Sequence, residues 1–110
     1  MSRSDAHSLA DMLMAADEIA EIVRRGKHAF DDDSALRRAV ERCLEIFGEA
    51  AKSISPELRA QHPLVPWSDM AKVRARLSHH YHRIDPAQVW VIATDDVPAV
   101  AEQVRGIGWA

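Results

Sequence analysis

Apolar residues recur at intervals of three and four along most of the chain, which is the spacing of one face of an α-helix. The first such series is Leu9, Met12, Ala16, Ile19, Ala20 and Val23, and the second is Leu36, Val40, Leu44, Phe47 and Ala51. An amphipathic helix is stable when its apolar face is buried against other helices. The pattern therefore predicts an all-α fold.

The residues around these series predict where the helices begin and end. Ser4 is expected to cap the first helix, which would stop at Gly26, and one of the three aspartates at 31–33 is expected to cap the second. Ser55 followed by Pro56 is typical of the start of a short helix. These boundaries leave only short connections between the helices.

Proline divides the second half of the chain. A helix is predicted from Trp67 to about His82, because Pro86 moves Asp85 out of helical geometry. A short helix follows from Asp85, although the apolar run 89–92 also has the propensity of a strand. That run has no evident partner strand, so the helix is preferred.

The last helix is expected to be capped by Thr94 or Asp95 and to end at Gly106. Short connections favour antiparallel neighbours, so we predict a compact antiparallel bundle of four to five helices. At 110 residues, the chain fits a single domain spanning 1–110.

Charge and cysteine content exclude several classes of protein. A net charge of -3 argues against attraction of the whole surface to nucleic acid or anionic lipid, so any RNA contact requires a local patch. Cys43 is the only cysteine and is interpreted as a small buried apolar residue. Asp5 and Asp11 interrupt any signal peptide, and no apolar run approaches the roughly 20 residues of a membrane span. We therefore expect a cytoplasmic protein.

The helix that begins at Trp67 is locally basic, since no acidic residue lies between Asp69 and Asp85. At about 100° per residue, one apolar arc contains Met70, Val73, Leu77, His80 and Ile84. The roughly opposite face contains Lys72, Arg76, His79 and Arg83. Periodicity alone favours a solvated face, and the alternative is a phosphate-binding row with a titratable imidazole.

The histidines at 79, 80 and 82 raise the possibility of a metal site. His79 and His82 share a helical face, but zinc normally requires further ligands, and His62 is the nearest other imidazole. The HExxH spacing is absent, so ordinary surface histidines are preferred, and neither a metal nor a cofactor is predicted.

The segment from Val73 to Tyr81 resembles the Arg-x4-His-x-Tyr signature of HepT-like proteins, a branch of the HEPN superfamily. The flanking segments are also similar to those of the family, and they are Ile46 to Ala50, Pro66-Trp67, Asp85 and Val89-Trp90. The resemblance covers about Ala16 to Val100. It implies a HEPN-like helical bundle that forms a homodimer.

The resemblance also implies a function. HepT-like proteins are metal-independent endoribonucleases and the toxins of toxin–antitoxin pairs, so Arg74 and His79 would be the catalytic pair. Their antitoxin, a minimal nucleotidyltransferase, would transfer AMP to Tyr81. RNA would be bound by Lys72, Arg76 and Arg83 of the basic face.

Two observations keep an alternative open. Arg74 and His79 are about 140° apart on a straight helix, so a shared site requires a distorted helix or a second subunit. Many relatives have a polar residue directly after the motif arginine, where this chain has Ala75. The alternative is a non-catalytic module that binds substrate for, or docks with, a nucleotidyltransferase.

Overall fold

The computed structural model describes residues 1–78 and 85–108, and all regular structure in these ranges is helical. The elements are α1 (Arg3–Val23), α2 (Lys27–Asp32), α3 (Ser34–Lys52), α4 (Pro56–Gln61), α5 (Trp67–Ser78), α6 (Pro86–Val91) and α7 (Val97–Arg105). A π-helical turn, Ile92–Asp96, joins α6 to α7. The predicted all-α class is confirmed, and the strand considered at 89–92 is wrong because α6 and the π-turn occupy it.

Most of the predicted helix starts are confirmed by side-chain caps. Asp33 Oδ1 accepts a hydrogen bond from the backbone of Ala35 at the start of α3, over 2.9 Å. Ser55 and Asp85 cap α4 and α6 in the same way, each followed by proline. The cap predicted at Ser4 is wrong by two residues, since Ser2 Oγ accepts a hydrogen bond from the backbone N–H of Asp5 and α1 begins at Arg3.

Two differences from the predicted bundle concern short elements. The one-turn helix α2 was not expected, and it follows Gly26, whose φ of 94° is a conformation that favours glycine. No new helix begins at Thr94 or Asp95, because the π-helical turn continues α6 directly into α7. Thr94 Oγ1 instead donates to the carbonyl of Trp90, 2.8 Å away. The four longest of the described helices are α1, α3, α5 and α7, and the remaining ones have six residues each.

Helix α3 lies at the centre of the bundle and packs against α1 and α5, while α1 also packs against α7. The start of α1 meets the segment between α3 and α4 through Asp5 and Ser55, and Glu18 later in α1 meets Cys43 of α3, so these helices are antiparallel. Cys43 is buried as predicted, and burial together with Glu18 raises the pKa of its thiol to about 11. None of the described helices is long and apolar enough to cross a membrane.

The carboxylate of Asp5 joins α1 to the start of α4. It is 4% exposed and accepts hydrogen bonds from the backbone N–H of Ser55 at 2.8 Å and from its hydroxyl at 2.5 Å. Burial raises the pKa of this carboxyl, but the hydrogen bonds from Ser55 and Ser2 outweigh burial, and the pKa lies below its ordinary value. The ionised form is therefore the one that stabilises the fold.

Replacing Asp5 with alanine is expected to lower the free energy of unfolding by about 1–3 kcal/mol at pH 7, because the partly buried Ser55 N–H loses its acceptor. Since folding depresses this pKa, the contribution is complete above the unfolded value near 4 and is lost as pH falls through the folded value. Urea unfolding at pH 7 and pH 3 measures both effects. Asp5→Asn is the control, because it keeps an acceptor oxygen but cannot ionise. An equal difference between wild type and Asp5→Ala at both pH values would contradict the assignment.

Candidate active site

The two faces predicted for the helix at Trp67 are present in the described part of α5. Met70 and Leu77 are buried and Val73 is partly buried, whereas Lys72 and Arg76 are exposed. The remaining predicted members of this region lie outside the described residues, and they are His79, His80, Tyr81, His82, Arg83 and Ile84.

Helices α3 and α5 pack tightly against each other at Gly48. A Cβ atom at this position would lie 2.5 Å from Cβ of Arg74 and 2.7 Å from the carbonyl oxygen of Met70. Only glycine leaves room for this crossing, so Gly48 determines how near the base of the Arg74 side chain lies to α3.

The residue after this glycine forms an ion pair with Arg74. Glu49 Oε2 lies 2.9 Å from Nε of Arg74, and the two side chains are 53% and 36% exposed, respectively. No other carboxylate in the described part of the chain lies within 4 Å of this guanidinium. Sequence reasoning did not single out Glu49 as a site residue. The only signal for it was its place in the segment from Ile46 to Ala50, which is similar to the corresponding segment of the family.

Arg74 forms part of the wall of an open cleft of about 800 Å³ between α1 and α3. The cleft is lined by Arg3, Ser4, His7, Ser8, Asp11, Arg42, Glu45, Ile46, Glu49, Ala50, Ser53 and Arg74. Its lining thus contains three arginines, three carboxylates and one histidine. Two further pairs are loose, at 3.8 Å between Arg42 and Glu45 and 3.5 Å between His7 and Asp11. An incoming anion could therefore compete with Glu45 for Arg42.

The cations predicted to bind RNA on α5 do not line this cleft. Lys72 is exposed elsewhere on the helix, and Arg76 donates a hydrogen bond to Oε1 of Gln88 on α6, over 3.0 Å. The cleft instead brings Arg3 and Arg42 together with Arg74, and the sequence had not suggested either of them. Helical spacing separates the faces of α5 but does not indicate which neighbouring helix contributes charge to each face.

Within residues 1–78 and 85–108, no three histidine, cysteine, aspartate or glutamate side chains are grouped so as to hold a metal ion. His62 directly follows α4 as its C-cap, and its carbonyl accepts a hydrogen bond from the indole of Trp67. The histidines at 79, 80 and 82 lie outside the described residues, so the prediction that they hold no metal stays a prediction.

Comparison with known proteins gives a family match over most of the chain. The family model described as Ribonuclease HepT-like matches residues 12–107. The chain is 36% identical over 107 residues to a protein of Methanocaldococcus jannaschii named Putative RNase, covering 96% of this chain and 98% of that protein. It is also 36% identical over 103 residues to a protein of Thermococcus cleftensis named Probable ribonuclease HepT, covering 91% of this chain and 92% of that protein. No solved structure matches the chain.

Proposed function

This chain belongs to the HepT-like ribonuclease family, and we propose that it is a metal-independent endoribonuclease and the toxin of a cytoplasmic toxin–antitoxin pair. The observation that supports this function best is the position of Arg74. Its guanidinium is partly exposed at the wall of an open cleft, where a phosphate group could reach it. Arginine remains charged at all physiological pH values and can bind two phosphate oxygens at once.

In the proposed reaction, the 2′-oxygen of one nucleotide attacks the adjacent phosphorus and the 5′-oxygen of the next nucleotide leaves. Arg74 stabilises the charge that develops on the phosphate oxygens. His79 transfers one of the two protons, because imidazole titrates near neutral pH. The second transfer is assigned to His79 of the other subunit in a homodimer. The products are a 2′,3′-cyclic phosphate and a free 5′-hydroxyl.

Binding of the RNA strand is proposed to involve Lys72, Arg76 and Arg83. Exposure of Lys72 and Arg76 supports this, since phosphate contacts usually come from accessible cations. With a net charge of -3, the chain can attract RNA only through such local groups.

The direct test compares wild type with His79→Ala, both purified after expression without antitoxin, on a broad panel of RNAs in EDTA. Wild type is expected to cleave RNA and leave cyclic phosphate ends. The variant is expected to lose at least about 10²-fold in rate, the usual contribution of a general acid or base. Equal integrity of the RNA with both folded proteins would reject the ribonuclease assignment and favour the non-catalytic module.

Neutralisation is proposed to occur when a minimal nucleotidyltransferase transfers AMP from ATP to the hydroxyl of Tyr81 and releases pyrophosphate. The added phosphate and its bulk would repel and block RNA beside Arg74. Co-expression with the nucleotidyltransferase is expected to raise the intact mass by one adenylyl group for each AMP transferred and to abolish cleavage. Tyr81→Phe should remain unmodified and active under the same conditions. Modification of the phenylalanine variant to the same extent would place the acceptor elsewhere.

The non-catalytic module remains the second candidate because of Ala75. A methyl group cannot form the hydrogen bonds that a polar residue would form at this position. In that case Arg74, His79 and Tyr81 would shape a surface that binds the nucleotidyltransferase. Intact RNA together with a stable complex of the two proteins would support it.

A further inference from the structure

An arginine that stabilises a transition state must be held in place before the substrate arrives. Its side chain has several rotatable bonds, and a displacement of about 1 Å at a reacting group can lower a rate on the order of 100-fold. Arg74 is partly exposed, so burial alone does not fix its guanidinium. The contacts that hold it must come from residues of the neighbouring helix.

Two consecutive residues of α3 provide these contacts. Gly48 lies against the base of the Arg74 side chain, where an added Cβ would come within 2.5 Å of Cβ of Arg74. Glu49 lies at the other end, with Oε2 2.9 Å from Nε. The side chain is therefore constrained at its first and near its last atoms by adjacent positions of one rigid helix.

The atom that Glu49 contacts is important for phosphate binding. An arginine presents five N–H donors, one on Nε and four on the two terminal nitrogens. The Glu49 carboxylate comes nearest to Nε as an ion pair, so the terminal nitrogens remain available for the two oxygens of a phosphate. Glu49 also adds a negative charge near the proposed phosphate position, and this charge repels the phosphate. Orientation of the guanidinium must outweigh this repulsion if the pair is to aid catalysis.

We propose that Glu49 is a positioning residue that holds the Arg74 guanidinium for the scissile phosphate, an inference that rests on the proposed ribonuclease function. Ala75, the residue after the motif arginine, has no polar group that could serve this purpose. Glu49 provides one from α3. The chain can thus retain an oriented arginine without a polar side chain at position 75.

A double-mutant cycle tests whether Glu49 acts through Arg74. Glu49→Ala is expected to lower kcat on the order of 100-fold in the wild-type background. In the Arg74→Ala background, the same change is expected to have almost no further effect, because the group it positions is gone. Glu49→Gln keeps the length and one acceptor oxygen and should recover part of kcat. The pH profile should keep its shape in each active variant.

Asp17→Ala is the matched control, since Asp17 forms a similarly exposed ion pair with Arg105 at 2.8 Å, between α1 and α7. It is expected to retain wild-type kcat. A loss in Glu49→Ala that persists undiminished in the Arg74→Ala background would overturn the proposal, because Glu49 would then act independently, for example as a proton acceptor. Wild-type kcat in Glu49→Ala would also overturn it.

A second measurement separates this proposal from the ribonuclease function. In ¹H–¹⁵N spectra at low temperature and mildly acidic pH, the Nε signal of Arg74, identified by its loss in Arg74→Lys, is expected to show the relaxation of a fixed side chain. Glu49→Ala is expected to change it to the relaxation of a mobile side chain. Relaxation typical of a mobile side chain in folded wild type overturns the positioning role whatever the nuclease activity. If the signal behaves as expected but the wild type leaves RNA intact, the ribonuclease function fails and with it the catalytic purpose of the pair.

Discussion

Replacing Gly48 with alanine is expected to lower the free energy of unfolding by about 1–3 kcal/mol and to lower RNA cleavage as well. Helix propensity alone predicts a higher free energy of unfolding, since alanine within a helix is favoured over glycine by about 1 kcal/mol. The crossing of α3 and α5 decides between these effects. The new Cβ would meet Cβ of Arg74 at 2.5 Å and the carbonyl oxygen of Met70 at 2.7 Å. Neither atom is the end of a flexible side chain, so the helices must move apart.

Thermal and urea unfolding measure the stability effect, and kcat on RNA measures displacement of Arg74. Gly108→Ala is the matched control, because no atom lies within 4 Å of a Cβ at that position and its φ is not positive. It should leave both quantities near their wild-type values. If Gly48→Ala melted at or above the wild-type temperature, helix propensity would outweigh the steric contact and the crossing would be looser than described.

Features determined by neighbouring residues could be predicted from the sequence. A cap at one of the aspartates 31–33 and helix starts at Ser55 and Asp85 were predicted, and each observed cap hydrogen-bonds to a backbone N–H only two or three residues further along. The buried and exposed faces of α5 followed from helical spacing alone. By contrast, the π-turn after α6 depends on packing against other helices, and periodicity gave no sign of it.

The candidate site was predictable only in part, because it is assembled from three helices. Arg74 was identified through the family signature, and its role is a proposal. Glu49 lies 25 residues earlier, and no local pattern indicates that the two side chains meet. The cleft that also contains Arg3 and Arg42 depends on how α1 packs against α3. Such long-range packing is set by side-chain fit across helices, which periodicity does not specify.

Arg74→Ala is expected to lower kcat about 10²- to 10³-fold, the range measured when one group that stabilises transition-state charge is removed. Stability should change little, because its ion pair with Glu49 is exposed and such pairs contribute about 0–1 kcal/mol. Loss of activity without loss of stability would distinguish this variant from Gly48→Ala. Arg74→Lys should recover only part of kcat, since an ammonium keeps the charge but not the two-pronged contact.

Arg76→Ala provides the comparison within the same helix. Arg76 is exposed, lies outside the cleft and donates a hydrogen bond to Gln88. Its proposed contact with RNA therefore contributes to binding and not to stabilisation of the reacting phosphate. Its removal should raise KM and reduce the salt dependence of binding while kcat is retained. If instead Arg76→Ala lowered kcat as much as Arg74→Ala, the reacting phosphate would lie on the outer face of α5. The cleft between α1 and α3 would then not be the active site, and the orientation of Arg74 by Glu49 would have no bearing on catalysis.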